Sequence, residues 1–164
     1  MTARRIEAQL TGGSTKVTCF LVYGGSSTAA RSRWVYALAE ANIIIDMIVQ
    51  NVSVSGTTDI SFTLNKDELP KAEQALAPVV REINAMKLIA QDGIAKLSVV
   101  GIGMRSHSGV AAKLFECLSA GGINIQMIST SEIKIAVILD ENVVDAAANL
   151  AHESFALGTA PASA

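Results

Sequence analysis

Aromatic side chains, prolines and cysteines are scarce in this chain, and no run of about 18 apolar residues occurs in it. With one Trp, two Tyr and four Phe among 164 residues, the core has to be built from Val, Ile, Leu and Ala. Half the residues are hydrophobic, which excludes a disordered chain and suits a compact α/β or α+β protein. The two cysteines, Cys19 and Cys117, make no CxxC and have no second pair, so a zinc site is excluded. On a predicted strand and a predicted helix they read as small buried hydrophobes in a reducing compartment. The missing long apolar run excludes a membrane span. Met1-Thr2-Ala3-Arg4-Arg5 leads into no apolar stretch, so no signal peptide is read and the cytoplasm is the expected location. Thirteen basic and fifteen acidic residues give a net charge of −2 without a basic cluster, and nucleic acid is not an expected partner.

What the chain does have is a repeat. Lys16-Val17-Thr18-Cys19-Phe20 returns 80 positions later as Lys96-Leu97-Ser98-Val99-Val100. Leu38, Ile43, Ile45, Met47 and Ile48 return as Leu118, Ile123, Ile125, Met127 and Ile128. An offset held this long means two copies of one structural unit, and the seam between the copies is the expected binding place.

Each copy reads as the same series of elements. In the first, 16–23 is a strand, 24–28 a loop and 30–41 an amphipathic helix with Ala30, Trp34, Ala37, Leu38 and Ala41 on one face. A strand over 43–52, a hairpin turn at Val54-Ser55-Gly56-Thr57 and a return strand over 58–64 follow. Pro70–Asn84 is helical by period, with Pro78 expected to kink or split it, and Lys87–Ala90 is a short closing strand. The second copy gives a strand over 96–103, a loop over 104–108, a helix over 109–120, strands over 123–129 and 133–139, and a helix over 143–155. Its fourth strand is missing. Ile6, Ala8 and Leu10 alternate with Glu7 and Gln9, so an N-terminal strand is expected to complete that sheet. The expected fold class is α+β: two ferredoxin-like βαββαβ domains, each an antiparallel sheet with its helices on one face. The expected bounds are 16–92, 93–157 completed by a strand over 4–11, and a loose tail over 158–164.

No catalytic constellation stands out. His107 and His152 lack a Ser/Asp partner at any family-like spacing, and Gly101-Ile102-Gly103 lacks the third glycine of a dinucleotide site. No metal ligand set and no cofactor motif is present. The junction Ser106-His107-Ser108-Gly109-Val110-Ala111 enters a helix whose free N–H groups suit a carboxylate; equally, Ser106 or Ser108 simply caps that helix. Asp46 interrupts an Ile-rich strand, where it either faces solvent or holds an ammonium. Gln50, Asn51 and Asn124 offer amide donors and acceptors, or are plain exposed strand residues.

Three stretches, 37–43, 45–53 and 57–62, resemble the first ACT repeat of aspartate kinase. Lys96–His107, Gly109-Val110-Ala111 and Ile123–Ile135 resemble its second, with Gly-Met-Arg-Ser-His and Ile-Ser-Thr-Ser-Glu-Ile as the specific pieces. The resemblance covers about 16 to 157 and implies the regulatory part, or small (beta) subunit, of an enzyme that phosphorylates the aspartate β-carboxylate with ATP, without that enzyme's kinase domain. It implies lysine and/or threonine as feedback effectors, a homodimer through ACT domains, and a catalytic aspartate kinase subunit as partner. Matched residue by residue, Gln50, Asn124 and Ile125 fall on threonine-type effector positions. Asp46, Met104, His107, Gly109 and Val110 fall on the lysine-side pocket, while Ser53, Ser61, Ala111 and Ser131 fall on positions that set feedback sensitivity. One departure is plain. Ser26-Ser27-Thr28-Ala29 stands where the first repeat of the family carries Asp-x-Pro-Gly, and Arg31 and Arg33 stand where small or apolar residues are usual. The alternative reading is therefore a structural dimerisation module whose effector site has decayed.

Overall fold

The computed structural model describes residues 6–9, 17–24, 28–52, 58–101 and 109–157. The chain divides into two compact units, Lys16–Gly93 and Met1–Thr15 with Ile94–Ala164.

The unit Lys16–Gly93 contains β2 (Val17–Gly24), α1 (Thr28–Glu40), β3 (Met47–Val52), β4 (Thr58–Asn65) and α2 (Leu69–Glu82). It is closed by the first part of β5 (Lys87–Gly101). The strand order is β3-β4-β2-β5, antiparallel where β4 meets β2 and β3, with Phe62 opposite both Phe20 and Ile48. Alternation sends Ile60, Phe62 and Leu64 to the helices, where they join Trp34, Leu38, Ala72, Leu76 and Val79 in one core. Trp34 stacks on Phe62 with ring centroids 4.7 Å apart, and its buried indole N–H finds no acceptor.

The other unit contains β1 (Ile6–Gln9), the second part of β5, α3 (Val110–Ala120), β6 (Met127–Thr130), β7 (Lys134–Asp140) and α4 (Val144–Ser154). β7 lies between β5 and β6, and β1 pairs antiparallel with β5 from Ile6 opposite Gly101 to Gln9 opposite Ser98. Its core repeats the first with smaller groups: Leu114 stands for Trp34, Val137 for Phe62 and Ala151 for Leu76. The α+β class with antiparallel sheets and helices is observed as expected.

Three local expectations change. The strands expected from 43 and 123 begin only at Met47 and Met127. The helix ends explain the delay. Asn42 and Gly122 adopt left-handed φ of 51° and 68°, and Ile43 and Ile123 donate back to the carbonyls of Leu38 and Leu118 at 2.9 Å. Two further bonds, Asn42 N–H to Ala39 O and Gly122 N–H to Ser119 O, complete a Schellman closure. With those N–H groups spent on the helix, pairing resumes at Asp46 N–H to Thr63 O and Gln126 N–H to Ile138 O. Secondly, Pro78 does not split α2, which runs unbroken from Leu69 to Glu82. Pro78 costs one backbone bond, while buried Leu76 and Val79 on either side hold the helix to the core. Thirdly, the expected short strand at 87–90 and the strand from 96 are one 15-residue strand, β5, which passes through Asp92-Gly93 with Gly93 at φ 73°. A left-handed glycine bends a strand without ending it. The hairpin turn at 54–57 and the tail at 158–164 lie outside the described residues.

Helices α2 and α4 close in the same way, with Asn84 (φ 51°) and Ala156 (φ 53°) at the left-handed position. Alanine is the poorest of these four residues for that conformation. Ala156→Gly is expected to raise the urea midpoint, adding up to about 1 kcal/mol; an unchanged or lowered midpoint would contradict this closure.

On the outer side of the first unit, Arg33 Nε and Nη2 donate to Glu82 Oε1 and Oε2 at 2.9 and 2.8 Å, linking α1 to α2. The bonds from Arg33 hold the Glu82 carboxyl below its ordinary value of 4.5, and the same pair raises the Arg33 guanidinium above its ordinary range. A depressed carboxyl adds stability above its unfolded value and loses it as pH falls through the folded one. Both groups are exposed, so the effect is small. Glu82→Gln is therefore expected to be slightly less stable than the parent near neutral pH and indistinguishable from it well below pH 4.5, as followed by thermal melts across pH.

Candidate functional site

The residues matched to effector positions divide between the two units. Asp46, Gln50 and Ser61 belong to Lys16–Gly93; Gly109, Val110, Ala111, Asn124, Ile125 and Ser131 belong to the other. Ser53, Met104 and His107 lie outside the described residues, as do Ser106 and Ser108.

In the first unit, Asp46 is exposed on the turn into β3, and its N–H, bonded to Thr63 O at 2.9 Å, fixes the backbone there. Gln50 is exposed on β3 opposite Ile60. Ser61, half-buried on β4, stands between Leu21 and Val49 on the sheet surface away from the helical core. Because strand partners share a face, Ile48 and Gln50 fall on the same face as Phe62 and Ile60, at the outer edge of the sheet. Ile48 is 51% exposed there.

In the second unit, α3 begins at Gly109, with φ 104° and no side-chain cap bond. The N–H groups of Val110, Ala111 and Ala112 have no acceptor within the helix, the first bond being Lys113 N–H to Gly109 O at 2.8 Å. That start presents positive dipole and donors, the chemistry a carboxylate needs. Val110, Ala111 and Ile125 all pack partly buried against the one core, which brings the helix start and the turn before β6 onto the same cluster. Asn124 is exposed beside them in sequence. Ser131 lies on the tight turn between β6 and β7, where its N–H donates to Lys134 O at 2.7 Å and its hydroxyl to the same oxygen at 3.4 Å. Edge strand β6 repeats β3, with Ile128 42% exposed beside Val137.

Sequence reasoning missed two features. The exposure of Ile48 and Ile128 on the edge strands is hidden by a pattern that reads equally well as core. The purpose of Arg33, visible only as an odd residue in the first helix, becomes plain once Glu82 stands opposite it. Cys117 is half-buried in α3, its thiol donating to Leu114 O, and desolvation pushes it above its ordinary value of 9.0. Among the described residues, no group of His, Cys, Asp and Glu fits a metal ion. No described helix is long and apolar enough to cross a membrane.

Residues 97–155 match a family model for the ACT domain. The whole of a chain from a crystal structure of aspartokinase alpha and beta subunits is covered, with 95% of this chain aligned at 38% identity and a TM-score of 0.81. This chain belongs to the aspartate kinase family, as a regulatory ACT region. The regulatory subunit of aspartate kinase from Thermus thermophilus, in its ligand-free form, is similar at 35% identity and a TM-score of 0.80, over 87% of this chain and 94% of that one. Aspartate kinase of Pseudomonas fluorescens is 49% identical over 120 residues, which is 73% of this chain. The chain spans 29% of that relative's length.

Gly109 tests whether the α3 start is built as described. An added Cβ meets nothing within 4 Å, so only the backbone conformation resists it. Gly109→Ala is expected to cost about 1–2 kcal/mol in urea unfolding, without disturbing the core. A cost near zero would mean that the left-handed start is not needed.

Proposed function

We propose that this ACT region is the allosteric sensor of an aspartate kinase, binding lysine and/or threonine and restraining a catalytic kinase portion in response. What supports the reading is the family membership, together with the helix start at Gly109 in the second unit and the exposed polar residues Asp46 and Asn124 ahead of the edge strands β3 and β6. Asp46 supplies a carboxylate for an ammonium, Gln50 and Asn124 supply amides, and the start of α3 at Gly109 and Val110 supplies donors for a carboxylate. Ile125 supplies apolar contact from the core rim. Met104 and His107 complete the proposed lysine-side set by sequence match alone. Ser53, Ser61, Ala111 and Ser131 are the positions proposed to tune sensitivity. Exposed Ile48 and Ile128 on open edge strands suit pairing with ACT domains of a second chain, giving a homodimer. The setting proposed for this pairing and feedback is the cytoplasm.

One observation favours the alternative, a dimerisation module that no longer senses an effector. Ser26-Ser27-Thr28-Ala29 lacks the carboxylate and the proline-glycine turn of the family's first repeat. That loss bears on the first unit's site and leaves Gly109-Val110-Ala111 of the second intact.

Titration calorimetry with lysine and with threonine separates the two readings. Heat and a thermal upshift with at least one of them are expected. Asn124→Ala is expected to weaken that binding about 2- to 10-fold, the worth of one net hydrogen bond. Dimerisation with no heat from either amino acid would establish the structural reading instead.

A further inference from the structure

The fourth strand of each sheet is attached differently. In the first unit it follows α2 directly: Ala85 N–H donates to Val80 O at 2.9 Å, and β5 starts at Lys87. In the second unit α4 ends in its own closure, with Ala156 N–H donating to Glu153 O at 3.0 Å. Its fourth strand is β1, which comes from the other end of the chain. β1 therefore follows no helix of its unit. It has four residues and, among the described residues, pairs with β5 alone, on Ser98–Gly101. A short edge strand with one partner sits at the low end of local stability.

Those last residues of β5 are also where candidate positions of the second unit meet. Across from β1, Val100 stands opposite Lys134, and Gly101 N–H donates to Ile133 O at 2.8 Å. The Lys134 carbonyl in turn holds the Ser131 turn, accepting the Ser131 N–H at 2.7 Å. One row of the sheet thus runs from the Ser131 turn through Lys134 and Val100 to Glu7 of β1. In sequence, Gly101 leads through 102–108 to the α3 start at Gly109. A ligand that fixes the α3 start and the Ser131 turn restricts the end of β5, and a restricted β5 end loses less freedom on pairing with β1. Paired and open β1 are the two states, and the ligand favours the paired one by binding it more tightly.

We propose that β1 is the strand through which the second unit responds to its effector: amino-acid binding secures β1 on Ser98–Gly101, and an empty site lets it open. The proposal rests on the reading above that this region binds lysine or threonine. Linkage makes the effect mutual, so β1 pairing strengthens effector binding by the factor by which the effector suppresses β1 opening.

Hydrogen exchange of the whole chain, read by mass spectrometry with and without saturating lysine or threonine, tests it. With whichever amino acid gives heat in the calorimeter, the amides of β1 and of Ser98–Gly101 are expected to exchange at least about fivefold more slowly. Glu7→Pro with Ala8→Pro unpairs β1, because neighbouring strand residues point their N–H groups to opposite sides and one of the two belongs to the ladder. That double variant is expected to bind the same amino acid at least about fivefold more weakly, with Trp34 fluorescence and the helical circular dichroism unchanged. If its helical signal is lost, the exchange of the unaltered chain decides alone. Protection at the α3 start with β1 exchange unchanged overturns this proposal and leaves the effector reading standing. So does a folded proline variant that binds as tightly as the parent. Heat from neither amino acid overturns both.

Discussion

Strand β5 is the element both units need. Its first part, Lys87–Gly93, completes the sheet of the first unit, and its second part lies between β7 and β1 in the other. In the second part, Leu97 and Val99 enter the helical core while Ser98 is buried on the reverse face, so both faces are committed. A one-residue slip there would exchange Leu97 and Val99 for Ser98 in the core. The register is set twice, by Val99 opposite Ile135 on one side and opposite Ala8 on the other. β5 runs on through Gly93, whose left-handed φ of 73° a glycine adopts without strain.

Around that strand the two units solve one packing problem with different side chains. The first uses an aromatic pair, Trp34 on Phe62, with Leu76; the second uses Leu114, Val137 and Ala151 with a leucine between its helices. Close packing demands that volume lost at one position be made up at another. The helix closures, by contrast, hardly vary. Among the described residues, all four α-helices end with a left-handed residue followed by a residue that donates back into the last turn. The closure fixes the direction in which the chain leaves each helix, and so the entry of β3 and β6, beside which the proposed effector residues stand.

In each unit the exposed candidate residues lie on turns and strand edges, where backbone groups not used by the sheet remain available. Gln50 and Asn124 face solvent because they precede or line an edge strand, and Val110, Ala111 and Ile125 are anchored by the core beneath. A site of this build separates rigidity, which the core supplies, from recognition, which exposed groups supply. Asp46 shows how closely the two are joined: its N–H belongs to the sheet while its carboxylate is exposed.

The repeat and the period of its apolar residues were enough, read as sequence, to determine two α+β units and most of their elements. Burial alternates with backbone geometry, and that alternation is written directly in the residues. The proposed effector positions were legible only through family resemblance, because an exposed Gln or Asn carries no periodic signal of its own. Tertiary structure alone decided where β3 and β6 begin, that β5 is one strand, and that Arg33 meets Glu82. Each of these depends on which distant backbone group or side chain arrives opposite a residue, and a local pattern holds no record of a partner about 50 positions away.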